Sequence, residues 1–381
     1  MFIDRCRVCN NKLEVLLEYK NMPKAAQNMP SLVETKTEKG EDLEICQCTG
    51  CSLVQLSNSP VPYYKEVIRA SAVSEEMKDF RLHQFEQIIQ KYSLQNKTIA
   101  EIGCGNGEYL SLLDKFDINA CGIEYAKQSI DFCKNNGLSV KQMYIEDEED
   151  IISETPLDAF FILNFFEHLP DPNTTLRALH KNLSEDGIGV VEVPNFNMIL
   201  KNNLFSEFVN DHLFYFTKET LKTVLEINGF DVVECEEVWY NYIITAIVRK
   251  RKRIDISHFK EQQKKITQEI KKYISNFDFQ DVAVYGAGHQ ALAILSMANI
   301  KENIKYVIDD ATFKQNKYTP ATHIPIVSCE MIKEKPVSAI IIMAASYSDE
   351  IAKKIQKQIQ NEVYKPLKIS ILRDYGLEKI R

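Results

Sequence analysis

No stretch of this chain is apolar for long enough to cross a bilayer, so a membrane-spanning protein is not expected. The opening residues, MFIDRCRVC, lack the basic-then-apolar layout of a secretory signal, and the expected compartment is the cytoplasm. Positive charge is in short supply. Lys and Arg number 46 against 54 Asp and Glu, a net charge of −8, and phosphate backbones are bound mainly through clustered cations. A nucleic-acid substrate is therefore not expected. The one basic run, Arg249-Lys250-Arg251-Lys252-Arg253, reads as a solvated strand end and linker. There is no internal repeat and no low-complexity tract. A length of 381 residues exceeds one typical core and points to two or three domains.

Within this chain the most informative segment is Ile99-Ala-Glu101-Ile-Gly103-Cys104-Gly105-Asn106-Gly107. Thr98 to Ala100 reads as a buried parallel strand, and Glu101 to Gly107 as the tight turn leading into a helix. Glycine allows positive φ and lets a ligand approach backbone N–H groups closely. A second apolar stretch ends in Glu124, where a carboxylate at a strand tip can grip both hydroxyls of a ribose. The spacing E-x-G-x-G-x-G differs from the dinucleotide G-x-G-x-x-G, and a nucleoside-cofactor site is expected here.

Four of the ten cysteines form two knuckles, Cys6-x-x-Cys9 and Cys48-x-x-Cys51. Such pairs assemble four thiolates around a structural Zn2+, which would stabilise a segment too small for its own core. The 38 residues between the knuckles leave room for extra strands or turns, and Cys46 is a spare thiol competing for assignment as a ligand.

From Lys97 to about Val248 strands and helices alternate as in a doubly wound sheet. Asp158–Leu163 and Gly189–Val193 are expected strands, and Thr217 is an expected N-cap for a helix stopped by Gly229. Residues 250 to 276 hold no glycine or proline and read as a connecting helix. A second α/β segment then opens with Val282-Ala-Val-Tyr285-Gly286-Ala-Gly288, continuing through the strands Lys305–Asp309 and Ala339–Met343.

Ligands of open α/β sheets lie at the carboxyl ends of the strands. Asn164 and its neighbour Phe165 follow one such end and would face the cofactor. His168, slightly further out, is placed either to polarise a substrate oxygen or to cap a helix. Asn195 follows the next strand tip. The pair Asp211-His212, flanked by aromatics, suits a general base whose carboxylate neighbour would raise and orient the imidazole, although adjacent side chains often diverge.

Taken together, these motifs resemble the three-domain S-adenosylmethionine-dependent sugar C-methyltransferases. The knuckle Cys6-Arg7-Val8-Cys9, the run Cys48-Thr-Gly-Cys51-Ser-Leu53-Val-Gln55-Leu56, the cofactor motif and Glu167-His168-Leu-Pro-Asp171-Pro172 all match the family pattern. So do Tyr285-Gly286-Ala287 and the long segment Lys314-Gln-Asn-Lys-Tyr318-Thr-Pro320-Ala321-Thr-His323-Ile-Pro-Ile326.

The resemblance implies an α/β enzyme with a class I methyltransferase doubly wound sheet. It implies a zinc-binding domain at 1–58, the methyltransferase domain at 59–248, a connecting helix at 249–275, and a Rossmann-like nucleotide-sugar-binding domain at 276–381. The metal ligands would be Cys6, Cys9, Cys48 and Cys51. S-adenosylmethionine would be held by Glu101, Gly103, Cys104, Gly105, Asn106, Gly107, Glu124, Asn164 and Phe165. His212 would be the base, with His168, Tyr63 and Asp211 beside it. Tyr64, Asn195, Tyr285, Gly286, Tyr318 and His323 would line the sugar site. The implied enzyme is a monomer that methylates carbon next to a ketone of a nucleotide-linked deoxysugar; O-methylation by the same base is the alternative, and a zinc-knuckle nucleic-acid methyltransferase a remoter one. The chain also departs from the family: Val209-Asn210-Asp211-His212 replaces Y-H-E-H, Trp239-Tyr240-Asn241-Tyr242 replaces Gly-Gly-Ser, and Ala321 replaces a glycine.

Overall fold

The computed structural model describes residues 2–24, 29–65, 73–360 and 367–380. The chain divides into two compact units, Met1–Lys252 and Arg253–Arg381.

In the first unit, β1 (Leu13–Met22) and β2 (Glu41–Cys48) form an antiparallel hairpin that fills the long interval between the cysteine knuckles. Next come β3 (Val54–Leu56), α1 (Glu75–Lys91), β4 (Thr98–Ile102), α2 (Leu110–Leu113), β5 (Asn119–Glu124), α3 (Lys127–Asn135) and β6 (Val140–Gln142). Then follow β7 (Leu157–Leu163), α4 (Pro172–Asn182), β8 (Leu183–Pro194), α5 (Phe196–Lys201), β9 (Phe214–Tyr215), α6 (Lys218–Ile227), β10 (Phe230–Val238) and β11 (Ile243–Lys250). The main sheet runs β10-β11-β8-β7-β4-β5-β6; β11 is antiparallel to β8, while β8, β7, β4, β5 and β6 are mutually parallel. This order, reversing direction of winding at β4, is the class I methyltransferase sheet.

Local chemistry explains the elements. In β7, Leu-Asp-Ala-Phe-Phe-Ile-Leu has both faces covered, as a parallel strand between helical layers requires. Asp171 caps α4 through Thr174 N–H, with Pro172 at the first helical position where its missing N–H costs nothing. Thr217 and Thr220 cap α6 reciprocally, and Gly229 follows its end. The hairpin β1–β2 continues through β3 to β9, so the cysteine-bearing sheet takes its last strand from the stretch of the methyltransferase core between β8 and α6. The basic run is anchored by ion pairs of Arg251 with Asp231 and Lys252 with Asp186.

The second unit holds α7 (Ser257–Ile274), β12 (Val282–Tyr285), α8 (His289–Ala298), β13 (Ile304–Ile308), β14 (Lys317–Tyr318), β15 (Pro325–Val327) and α9 (Met331–Glu334). It ends with β16 (Ala339–Ile342), α10 (Ser348–Gln360), β17 (Lys368–Leu372) and β18 (Leu377–Lys379). Its sheet order is β14-β15-β13-β12-β16-β17-β18, with a parallel centre and antiparallel edge strands, a Rossmann-like layout. Among the described residues no helix is long and apolar enough to cross a membrane.

Candidate active site

At the tip of β4 the chain turns through Gly103, Gly105 and Gly107, all at positive φ. Gly103 has a second constraint: a Cβ there would lie 2.4 Å from the Phe165 ring. Glu124, at the tip of β5, is buried and accepts hydrogen bonds from the amides of Gly105 (2.9 Å), Tyr125 (2.9 Å) and Ala126 (2.8 Å). The carboxylate thus fixes the glycine loop and lines a pocket with Gly103, Tyr125, Tyr144, Ile145 and Phe165. A ribose acceptor beside flat aromatic and aliphatic walls suits adenosine, so these residues fit S-adenosylmethionine.

Not every expected cofactor contact faces this pocket. Cys104 turns its thiol into the cluster of Leu110, Ile130, Cys133 and Val140, and its amide is committed to the Ile123 carbonyl. It shapes the loop from behind. Glu101 is buried at the end of β4, Asn106 is exposed, and Asn164 sits at the tip of β7 with a left-handed φ of 52°, a conformation asparagine tolerates. Tyr64 meets Tyr144 edge-on at 5.8 Å, on the cofactor side of the unit.

Next to this pocket Tyr63, His168, Asp211 and His212 come together. The Asp211 carboxylate accepts a hydrogen bond from the Tyr63 hydroxyl at 2.5 Å. Its backbone carbonyl lies 2.8 Å from His168 Nδ1. The rings of His168 and His212 meet edge-on with centroids 4.8 Å apart. The expected elevation of His212 by Asp211 is therefore overturned. Burial, reinforced by His168, holds the His212 imidazole well below its ordinary range, so it is neutral and has a lone pair to offer. Burial also lowers His168, pushes Glu167 up to about 8 and raises Tyr63, whose hydroxyl stays protonated toward Asp211.

Asn195 belongs to the scaffold instead of the expected sugar wall. It is fully buried, caps α5 through Asn197 N–H and donates to the Asn241 carbonyl, which uses both ends of its amide. The segment Trp239-Tyr240-Asn241 adopts three consecutive left-handed conformations, with φ of 48°, 59° and 63°. Trp239 packing on Phe80 and the Tyr240 hydroxyl on Glu76 hold it there.

In the second unit Gly286 has a φ of 107° and its site would place a Cβ 2.8 Å from the Met343 carbonyl, so the glycine is required. Tyr285 is not a wall residue. Its ring is buried in one face of the sheet, and its hydroxyl donates to Asp310. Tyr318 and His323 are exposed on this unit. Sequence reasoning missed Asp309, which accepts from the Ala287 amide (2.7 Å), the Ala311 amide (2.9 Å) and Lys314 (2.9 Å). It repeats the Glu124 arrangement, an acidic strand tip gripping a glycine loop, and the same spacing argument would have found it.

The four sulfurs of Cys6, Cys9, Cys48 and Cys51 come within 4.8 Å of one another. A tetrahedral zinc with sulfur at about 2.3 Å sets its ligands about 3.8 Å apart. Cys6 and Cys51 are 3.8 Å apart and Cys9 and Cys48 3.3 Å. Amides of Val8, Gly50 and Cys51 and the side chains of Asn11 and Gln55 point at the sulfurs, an arrangement that stabilises thiolates. The donor set fits zinc. Cys46 lies outside the group, with its thiol on Glu44.

Comparison with known proteins gives two family matches: residues 70–235 match a methyltransferase domain, and residues 251–364 a C-methyltransferase C-terminal domain. C-methyltransferase NovU of Streptomyces niveus is 22% identical, over 94% of this chain and 94% of its own length. A ubiquinone biosynthesis O-methyltransferase of Hydrogenovibrio crunogenus is 29% identical over 27% of this chain and 44% of its own. A SAM-dependent methyltransferase structure from Aquifex aeolicus covers 45% of this chain and 92% of its own, at 17% identity and a TM-score of 0.36.

Proposed function

We propose, for a chain that belongs to the S-adenosylmethionine-dependent C-methyltransferases and is a class I methyltransferase, that the acceptor is a carbon of a nucleotide-linked deoxysugar. One observation carries the reading: a neutral His212, edge-on to His168, stands beside a pocket fitted to the methyl donor. Bound S-adenosylmethionine supplies an electrophilic methyl on a cationic sulfur. His212 takes the proton from the carbon next to the acceptor's ketone, and that carbon is then aligned with the methyl. The site's charge is conserved, because the positive charge leaving sulfur is matched by the one gained at imidazole.

The supporting residues follow from the geometry. Asp211 holds His168 in the Nδ1–H form through its carbonyl, and Tyr63 holds Asp211. In the second unit the glycine loop at Gly286 and the acidic strand tip Asp309 form an arrangement of the kind that binds the ribose of a nucleotide. The four cysteines hold a structural zinc that keeps the β1–β2 hairpin in register.

The test separates proton removal from methyl transfer. With S-adenosylhomocysteine bound, wild-type enzyme in D2O should exchange the proton next to the ketone of a 4-keto nucleotide sugar, and His212→Asn should not. NMR of the methylated product then distinguishes a new C–CH3 from an O–CH3. Failure to exchange or methylate any member of a nucleotide-sugar panel would remove the sugar reading.

A further inference from the structure

Glu167, His168 and His212 form a second group of converging ligand atoms, far in sequence from the cysteines. One carboxylate oxygen and one nitrogen from each ring lie within 4.8 Å of one another. Two imidazoles and a carboxylate on adjoining turns make up the three-ligand face that binds borderline divalent cations and leaves open positions opposite.

The hydrogen bonding leaves a specific gap at this point. His168 Nδ1 is committed to the Asp211 carbonyl, so its Nε2 presents a lone pair. That lone pair faces Glu167 Oε1 at 3.9 Å, beyond hydrogen-bond distance. Glu167 is 1% exposed, and its Oε2 is buried without a hydrogen-bond partner. Among the described residues of this unit the fully buried guanidinium, Arg81, is spent on Glu192. A divalent cation among the three side chains would take one lone pair from each. The Tyr63–Asp211–His168 chain already supplies the outer support that orients a metal-bound histidine.

We infer that Glu167, His168 and His212 constitute a second divalent-metal site, separate from the four cysteines, which takes a borderline cation such as Zn2+ or Co2+ and holds the enzyme inactive. Mg2+ and Ca2+ are excluded by their demand for oxygen ligands. Inhibition follows because the cation occupies the His212 lone pair needed for proton removal. That second half rests on the proposed function. Metal binding itself does not.

The experiment titrates zinc-replete full-length protein with Co2+. A second equivalent per chain is expected, with weak visible d–d bands and without the intense near-ultraviolet thiolate-to-cobalt charge transfer of cysteine ligation. Glu167→Gln and His212→Asn should each weaken this equivalent by about 10²-fold or more while retaining the cysteine-bound zinc. In wild-type protein, two of the seven histidines should show ring signals broadened first by Co2+. A single equivalent in wild type, a second one unaffected by both variants, or broadening of other histidines would each overturn the site. A second equivalent without loss of turnover would leave the site and remove the base.

Discussion

Replacing Glu124 tests the cofactor site most directly, because two functions meet in one carboxylate. A carboxylate has about four acceptor positions, and at least three here are taken by the amides of Gly105, Tyr125 and Ala126. A ribose must therefore share the carboxylate with these amides, and the sequence-based picture of a carboxylate gripping both hydroxyls alone is too simple. Glu124→Ala removes a charged hydrogen bond to ribose and also releases the Gly105 amide. The expected loss is roughly 2–3 kcal/mol, or about 30- to 150-fold in affinity. Calorimetric titration with S-adenosylhomocysteine reads this directly, and circular dichroism checks the fold. Glu124→Gln keeps the shape and one acceptor oxygen, so it should lose less. Equal affinity in wild type and Glu124→Ala would refute a ribose at this strand tip, and equal losses in both variants would show that charge outweighs loop geometry.

Three further outcomes are expected. Metal analysis should find about one zinc held by the cysteines, lost in Cys48→Ser and kept in Cys46→Ser; the reverse pattern would replace Cys48 by Cys46 as ligand. Ala321 has a φ of 62°, a left-handed conformation costing a non-glycine residue about 1 kcal/mol, so Ala321→Gly should raise stability by about 0.5 kcal/mol after glycine's unfolded-state entropy is counted. A lower denaturation midpoint in that variant would show that the residue's methyl group does more for the fold than its backbone costs. Tyr63→Phe strips a donor from Asp211 and should cut turnover by about 10-fold with S-adenosylhomocysteine affinity unchanged; undiminished turnover would detach Tyr63 from the His168 support chain.

The periodic and punctuated parts of this fold were legible in the chain. Buried runs such as Asp158–Leu163, the cap at Thr217 and the glycines around Cys104 follow from local sterics and hydrogen bonding, so one sequence suffices to read them. The clustering of the four cysteines was legible because two C-x-x-C turns impose their own geometry. Side-chain direction was not. Asp211 and His212 are neighbours in sequence, yet the carboxylate accepts from Tyr63, 148 positions away. Asn195 looked like a wall residue at a strand tip, but capping α5 and holding Asn241 consumed its amide. Tyr285 precedes a glycine loop, where strand alternation sent its ring into the core. In Trp239-Tyr240-Asn241 the sequence revealed bulk, and only the backbone revealed three left-handed residues held by contacts with α1.

The base assignment carries the most specific consequence for pH. A carboxylate-raised histidine would give an acidic limb near neutrality; a histidine lowered by burial does not. In the metal-free enzyme His212 stays neutral through the neutral range, so kcat/KM should hold level on its acidic side well below pH 6.5. The sign for stability follows from linkage. The folded state resists protonating a group whose pKa it depresses, so stability falls as pH drops below the unfolded value of about 6.5. His212→Asn removes that site, and the variant's unfolding free energy should decline less steeply than wild type in this range. The same substitution should lower turnover by about 10²- to 10⁴-fold, the range for losing a positioned proton acceptor, with cofactor affinity retained. His168→Asn should be milder, since that ring orients and supports without taking the proton. A His212→Asn enzyme with full turnover would move the base to His168, whose Nε2 lone pair is the next one facing the same space.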